Sequence, residues 1–238
     1  MHIRQTVNFT LGLLLLIPTV ALAICKNSDE LPPNTNGRSG GSRGCSTQTT
    51  SSDSIPALIL LAPSGGDAKV VSTRPTFAWL VDDSGSWQME FRLYEYDRRS
   101  YEPKLVAEIK DANFKSSQGI VVLSPSQSIP ELAVGKRYLW QVELICDPLH
   151  PSGNPFAEAE IEVVEIQPNL KAQLAKTNEA SKQIFLYSKA GLWYDALSIV
   201  LTQQDPKIAQ LNSLLDQVAT TPKEKEKLRE SGIYRIQR

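Results

Sequence analysis

Residues 132–148 read L-A-V-G-K-R-Y-L-W-Q-V-E-L-I-C-D-P, and this stretch decides the fold. Tyr138, Trp140, Val142 and Leu144 fall on one side, while Leu139, Gln141, Glu143 and Ile145 fall on the other. A side-chain period of two is the mark of a β-strand. The strand is entered through a tight corner at Gly135 and closed by Cys146 and Pro148, and its bulk suits the centre of a sheet.

Similar short runs lie on both sides of this stretch, separated by turn residues. Ala57–Leu61 is followed by P-S-G-G-D, and P-T-F-A-W-L-V places Phe77, Trp79 and Val81 on one face. After the turn D-D-S-G-S, Trp87, Met89, Phe91 and Leu93 alternate with Glu90, Arg92 and Tyr94. Leu105–Ile109 and Gly119–Leu123 supply two more runs. Beyond residues 132–148, Ala157, Ala159, Ile161 and Val163 alternate with Glu158, Glu160 and Glu162. Seven short strands within residues 55–166 predict a β-sandwich.

The spacing Leu132-x-x-Gly135-x-x-Tyr138 resembles the tyrosine corner of fibronectin type III and immunoglobulin-like domains, and R-P-T-F-A-W resembles their second strand, with Trp79 in the core. That resemblance implies an immunoglobulin/fibronectin-III-like sandwich over residues 55–166. It implies a fold and no activity, because such folds host many functions.

Residues 1–23 have the make-up of a secretory signal peptide: Arg4, the apolar run Leu11–Ile17, Pro18 and the small-residue end Ala21-Leu22-Ala23. The run is shorter than the roughly 20 residues a membrane span needs, so no transmembrane helix is expected in the mature chain. Cleavage near Ala23 would deliver the protein to the periplasm, outer envelope or exterior. Ile24 ahead of Cys25 argues against lipidation, which favours a small residue there. Residues 24–54 are rich in Ser, Thr, Asn and Gly and read as a flexible linker. In an oxidising compartment its Cys45 is expected to pair with Cys146, leaving Cys25 free or paired between molecules. The alternative is a Cys25–Cys45 bridge with Cys146 a buried thiol.

From Pro168 the texture turns helical. Leu170, Leu174, Ala180, Ile184 and Tyr187 predict one helix ending at Gly191, a second starts at Trp193, and a third is capped by Asp205 and Pro206. Tyr187-x-x-Ala190-Gly191-x-Trp193-x-x-Ala196-Leu197 resembles the core of one tetratricopeptide repeat, which implies a helical hairpin over residues 168–220. One repeat cannot make an array, so the hairpin is expected to dock on the sandwich or on a partner. Residues 221–238 read as a charged tail, a short solvated helix with a frayed end.

Composition excludes several functions. Net charge is −1 without a clustered basic face, which speaks against nucleic acid. The chain has 2 His and 3 Cys with no C-x-x-C pair, so neither a zinc site nor a redox motif is expected. Cys146 and His150 supply too few ligands for zinc, and an oxidised Cys146 is no nucleophile. Asp82-Asp83-Ser84-Gly85 lacks the spacing of a calcium loop, and Glu158, Glu160 and Glu162 read as a wet strand face rather than a glycosidase pair. No catalytic residue and no cofactor is expected.

The ordered series R-G-C, P-T-F-x-W, G-K-x-Y-x-W, L-I-C-D-P and G-L-W-Y-D-A-L resembles an exported cyanobacterial family known as a domain of unknown function. Cys25 and the long charged C-terminus depart from that pattern. The resemblance implies export and brings no catalytic residues. The chain is therefore expected to be an exported, non-catalytic interaction or structural module, its partner another exported or envelope protein. A carbohydrate-binding or cell-wall accessory domain is the alternative, with Tyr94, Tyr96 and Tyr101 as a binding platform for a glycan. An unrecognised hydrolase using Asp147 and His150 is the third reading.

Overall fold

The computed structural model describes residues 37–38, 45, 55–63, 68–96, 103–124, 128–203 and 208–236. Among these residues the protein is mainly β, with two sheets and five helices that lie towards the C-terminus. The expected strands are β1 (Leu58–Leu60), β3 (Phe77–Val81), β4 (Gln88–Tyr96), β5 (Lys104–Ile109), β6 (Gly119–Leu123), β7 (Arg137–Ile145) and β8 (Phe156–Val163). Two further strands, β2 (Lys69–Val70) and β9 (Ile233–Ile236), escape the sequence pattern. One sheet has the order β1-β3-β6-β9, and the other β2-β8-β7-β4-β5.

The two sheets differ in texture, and the difference explains the layering. Strands β7 and β8 bury alternate residues, so the five-stranded sheet keeps an outer face near solvent. In contrast, β1, β3 and β6 are buried at every position. Their runs L-I-L, F-A-W-L-V and G-I-V-V-L are continuously apolar, as a strand covered on both faces must be. The expected one-sided face of Phe77, Trp79 and Val81 is corrected accordingly: Ala78 and Leu80 are buried too. Between the sheets, Phe77 meets Trp140 at 5.0 Å and Phe91 at 5.1 Å between ring centres, tilted pairs that add about 0.5–1.5 kcal/mol each beyond area burial.

At the corner, Gly135 takes φ +80° and its N–H donates to Val163 O at 2.7 Å. Leu132 is buried, and its N–H donates to Thr73 O at 2.8 Å. The Tyr138 hydroxyl accepts from Ala133 N–H at 2.8 Å, tying the strand to the loop that feeds it.

Among the described residues, four helices stand where three were expected, α1 (Pro168–Leu174), α2 (Ala180–Lys189), α3 (Trp193–Thr202) and α4 (Ile208–Leu215), and the short helix expected beyond them is α5 (Pro222–Glu230). The single predicted helix up to Gly191 breaks at residues 175–179, where Leu174 and Ala180 are six apart and so out of helical phase. Thr177 and Asn178 are poor helix formers at that break. Gly191, at φ +74°, turns the chain from α2 into α3. Asp205 and Pro206 lie outside the described residues. The helices dock on the sandwich through α3: Trp140 Nε1 donates to Tyr194 Oη at 3.1 Å, and Thr76 Oγ1 meets Ser198 Oγ at 2.9 Å.

The C-terminal expectation also needs correction. The solvated helix exists as α5, but Leu228 on it is fully buried. The expected frayed end is instead β9, which pairs parallel with β6 from Ile233 to Ile236. Arg235 secures it by donating to Leu201 O and Gln203 O, each at 3.0 Å, at the end of α3. Both pairings satisfy groups that would otherwise be orphaned, on the β6 edge and the last turn of the helix.

Within the expected linker, Gly37, Arg38 and Cys45 are described, and all three are held. Gly37 N–H donates to Glu158 O at 3.2 Å and Gly37 O accepts from Leu60 N–H at 2.7 Å, so this residue joins β8 of one sheet to β1 of the other. Arg38 bridges to Ile59, which corrects the reading of residues 37–38 as loose, and Cys45 is bonded to Cys146, the expected partner.

Candidate functional site

The five-stranded sheet leaves one face open, and its side chains are the candidates for contact. Arg92 sits at the middle of that face. Its guanidinium donates to Glu108 Oε1 at 3.1 Å, to Glu143 Oε2 at 3.2 Å and to Glu90 Oε2. The pairings Glu90↔Glu143 and Arg92↔Gln141 on β4 and β7 put these groups within one patch. Burial alone would lower the Arg92 pKa, but the hydrogen bonds of Glu108 and Glu143 outweigh it and raise the value. Lys110 holds the other oxygen of Glu90 at 2.8 Å, and Arg137 pairs with Glu162 at 2.9 Å. These carboxylates are thus tied into ion pairs, a poor arrangement for acid–base chemistry.

Tyr94 and Tyr96 continue the Arg92 row along β4, both half-buried, and the Tyr96 hydroxyl is buried. Tyr101 lies outside the described residues. A bulge between Leu93 and Tyr94 shifts the register against β5, so that Ala107 faces Leu93 while Leu105 faces Tyr94. Without it, period-two counting would point Leu105 inward with Ala107. With it, Leu105 stands 49% exposed beside Tyr94.

At the end of the same sheet, the β7–β8 connection begins at the Cys45–Cys146 disulfide, which joins residues 101 apart with Cα atoms 4.9 Å from each other. Asn154 Oδ1 accepts from the N–H of Cys146 at 3.0 Å and of Asp147 at 3.2 Å. Its Nδ2 donates to Glu143 Oε1 at 2.9 Å. Asp147 Oδ2 meets His150 Nδ1 at 2.7 Å, and Oδ1 accepts from Leu149 N–H at 2.8 Å; these bonds, His150 first, hold the carboxyl below its ordinary pKa. Their side chains are 51% and 78% exposed. A carboxylate–imidazole contact so open to water lacks the water-excluded surroundings that activate a catalytic dyad.

The remaining sequence candidates have structural partners. Asp83 is buried, and its Oδ1 accepts from Gly85 N–H and Trp87 Nε1, each at 2.8 Å, inside a turn. Glu158, Glu160 and Glu162 line the outer side of β8, where Gln141 Nε2 donates to Glu158 at 3.0 Å. Among the described residues, no group of three His, Cys, Asp or Glu side chains could hold a metal ion. No described helix is long and apolar enough to cross a membrane.

Two buried acids escaped the sequence reading. Asp195, in the first turn of α3, accepts from Val71 N–H at 2.9 Å and Ser72 N–H at 3.1 Å, and burial pushes its pKa up to about 6. Glu224 accepts a forked pair of hydrogen bonds from Arg38. Thr221 caps α5 by accepting from Glu224 N–H at 3.1 Å, and the spacing T-P-K-E was its visible signal. Nothing in composition marked Arg38.

Comparison with known proteins adds a family and little else. No curated protein matches the chain. A solved structure reported for a lytic polysaccharide monooxygenase important for efficient utilization of chitin in Cellvibrio japonicus shares 13% identity, with a TM-score of 0.29. The match covers 43% of this chain and 58% of that one, so this protein spans less than two thirds of the matched chain. A likeness of that size carries no argument. The model of DUF928, a domain of unknown function, matches residues 38–228, from Arg38 into α5. The chain therefore belongs to the DUF928 family.

Proposed function

We propose that this protein is an exported, non-catalytic interaction module that binds another exported or envelope protein. One observation carries the reading. The sheet β1-β3-β6-β9 is buried on both faces at its central strands, whereas the other sheet keeps an outer face bearing Tyr94, Leu105 and an ion-paired lattice of glutamates. A half-buried tyrosine beside an exposed leucine gives this face an aromatic and apolar spot of the kind that contact surfaces bury. Export is supported by the residue 1–23 pattern and by a disulfide, which persists in oxidising compartments. The strand order β1-β3-β6 against β8-β7-β4-β5 and the Tyr138 bond support a fibronectin-III-like sandwich. The pair α2–α3, turning at Gly191, supports a repeat-like hairpin used as a dock for the sandwich.

Immobilised, oxidised protein is expected to retain a defined partner from an envelope extract, and Tyr94→Ala with Leu105→Ala to weaken retention at least about tenfold. Hydrolysis of a polymer by the intact protein, with no partner retained, would sink the proposal. The carbohydrate reading has its own support in the adjacent outward positions of Tyr94 and Tyr96 on β4, about 7 Å apart at strand spacing. A glycan array decides it: binding lost in Tyr94→Ala favours a sugar, and binding unchanged removes the platform.

A further inference from the structure

The near-neutral total charge of the chain conceals an uneven distribution. From Pro168 at the start of α1 to Ala190 after α2, four lysines stand against one glutamate, without arginine or aspartate. The next acids along the chain are Glu165 before α1 and Asp195 on α3, and the second is buried. Lys171, Lys176, Lys182 and Lys189 are all exposed. Lys182 meets Glu179 at 3.0 Å, a surface pair with side chains 67% and 54% exposed, which water leaves weak. Lys171, Lys176 and Lys189 make no ion pair among the described residues. Phe185 stands among these charges, 63% exposed. On α2 the buried Ile184 marks the inner side, while Lys182, Phe185 and Lys189, spaced three and four apart, share an outer one. α1 packs beside α2, so Lys171, and Lys176 in the turn between them, belong to the same helical pair.

We infer that the outer side of the α1–α2 pair is a membrane-contact surface, which sets Phe185 into the headgroup boundary of an anionic phospholipid bilayer with the lysines on the headgroup phosphates. Composition chooses lipid over a protein partner. Protein interfaces favour arginine, whose planar fork makes paired hydrogen bonds, and are depleted in lysine. This patch has lysine alone. A bilayer surface offers diffuse negative charge and asks for no fixed geometry, which suits ammonium groups on flexible stems around one apolar ring. Each lysine beside such a surface strengthens attachment about fivefold, so the patch gives reversible attachment and not an anchor. The inference goes beyond the partner-binding reading and uses none of its residues, since Tyr94 and Leu105 lie on β4 and β5.

The test is flotation of the full-length, oxidised protein with vesicles of phosphatidylcholine alone, or of phosphatidylcholine and phosphatidylglycerol in equal parts. The apolar run at residues 11–17 partitions into either bilayer, so the quantity read is the ratio between the two. Binding to the mixed vesicles should be favoured at least about tenfold in roughly 0.05 M salt and lose that preference in roughly 0.5 M. The triple variant Lys171→Gln, Lys176→Gln, Lys189→Gln should cut the ratio at least about tenfold. Lys104→Gln, Lys115→Gln and Lys223→Gln together remove the same charge from exposed positions elsewhere and should leave it within about twofold. Phe185→Trp should be quenched by bromine on the acyl chains of mixed vesicles beyond the wild-type level. No preference for the anionic vesicles, equal losses in the two triple variants, or no added quenching would each overturn the inference. Capture by soluble polyglutamate in place of vesicles would also overturn it, in favour of an acidic protein surface. Vesicle binding that is absent while an envelope partner is retained overturns the membrane contact alone; the reverse outcome overturns the interaction module alone.

Discussion

The guanidinium of Arg38 and the carboxylate of Glu224 meet across 186 residues of chain, at 3.2 Å through Nε and 2.9 Å through Nη2. Both are close to fully buried, with side chains 11% and 4% exposed. Arg38 also donates to Val218 O, and Glu224 accepts from Thr220 N–H at 2.7 Å. The pair ties the start of the family domain to the start of α5. Breaking one partner leaves the other charged, buried and unmatched, so Arg38→Ala should cost about 3–5 kcal/mol in urea unfolding. Arg38→Met with Glu224→Leu should recover much of that loss, since an apolar pair avoids the desolvation cost. A single mutant at wild-type stability would contradict the clasp.

Glu224 and Asp195 predict opposite pH dependence. Burial pushes the Glu224 carboxyl up, but the hydrogen bonds of Arg38 and Thr220 prevail and its pKa falls below 4.5. Its stabilisation is therefore present above pH 4.5 and lost as pH falls through the depressed value. For Asp195 the folded value of about 6 exceeds the ordinary 3.8. Between these the folded chain keeps a proton that the unfolded chain has released. Stability from Asp195 is full below pH 3.8 and is lost as pH rises through about 6. That loss amounts to about 3 kcal/mol. Asp195→Asn should erase this decline, measured as the urea midpoint from pH 4 to 7 against wild type; an unchanged slope would place the titration elsewhere.

Much of the sandwich was legible because period-two alternation survives in β4, β7 and β8, where one face is wet. The runs F-A-W-L-V and G-I-V-V-L were legible as strands, but their meaning was not. A strand covered on both sides looks the same whichever element supplies the second cover. β9 is four residues, I-Y-R-I, and becomes a strand only through the edge of β6. Arg38 sits in a Gly/Ser-rich stretch whose composition argues for disorder, and its burial depends on a glutamate near the other end of the chain. Leu105 was invisible as a surface residue because the bulge that turns it outward is a property of pairing, not of β5 alone.

The corner separates backbone strain from packing. Gly135 has a positive φ, yet an added Cβ would meet nothing within 4 Å. Gly135→Ala should therefore cost only the left-handed penalty, about 1–2 kcal/mol. Tyr138→Phe strands the Ala133 N–H and should cost about 1–3 kcal/mol. The two changes affect one connection, so a double mutant in denaturant should fall short of the sum. Full additivity would mean that the hydroxyl and the turn act independently.

Replacing Cys45 and Cys146 together by Ser releases a loop of 101 residues. The unfolded chain then gains freedom, and stability should fall by about 2–4 kcal/mol in thermal unfolding. Reductant should lower the melting temperature of the wild type towards that of the double mutant and leave the mutant itself unmoved. A mutant that still responds to reductant would point to a bridge between molecules through Cys25, the one cysteine it keeps.

β9 carries the last prediction, which concerns solubility as much as stability. It covers the open edge of β6, whose residues G-I-V-V-L are apolar, uncharged and free of proline. Exposed, such an edge is a template for pairing with another chain. A chain ending at Gly232 keeps the bond from Ile120 N–H to Gly232 O but loses the ladder and the Arg235 hold on α3. It should elute as larger species in size-exclusion chromatography and bind an amyloid dye on standing. Gly119→Ala reaches the same edge in the full-length chain, because its Cβ would fall 2.6 Å from Gly232 O and 2.8 Å from the Tyr234 ring. Backbone cannot yield as a flexible side chain does, so this substitution should shift β9 and cost more than Gly135→Ala. A Gly119→Ala protein as stable as Gly135→Ala, together with a monomeric truncation, would show that β6 is protected by something other than β9.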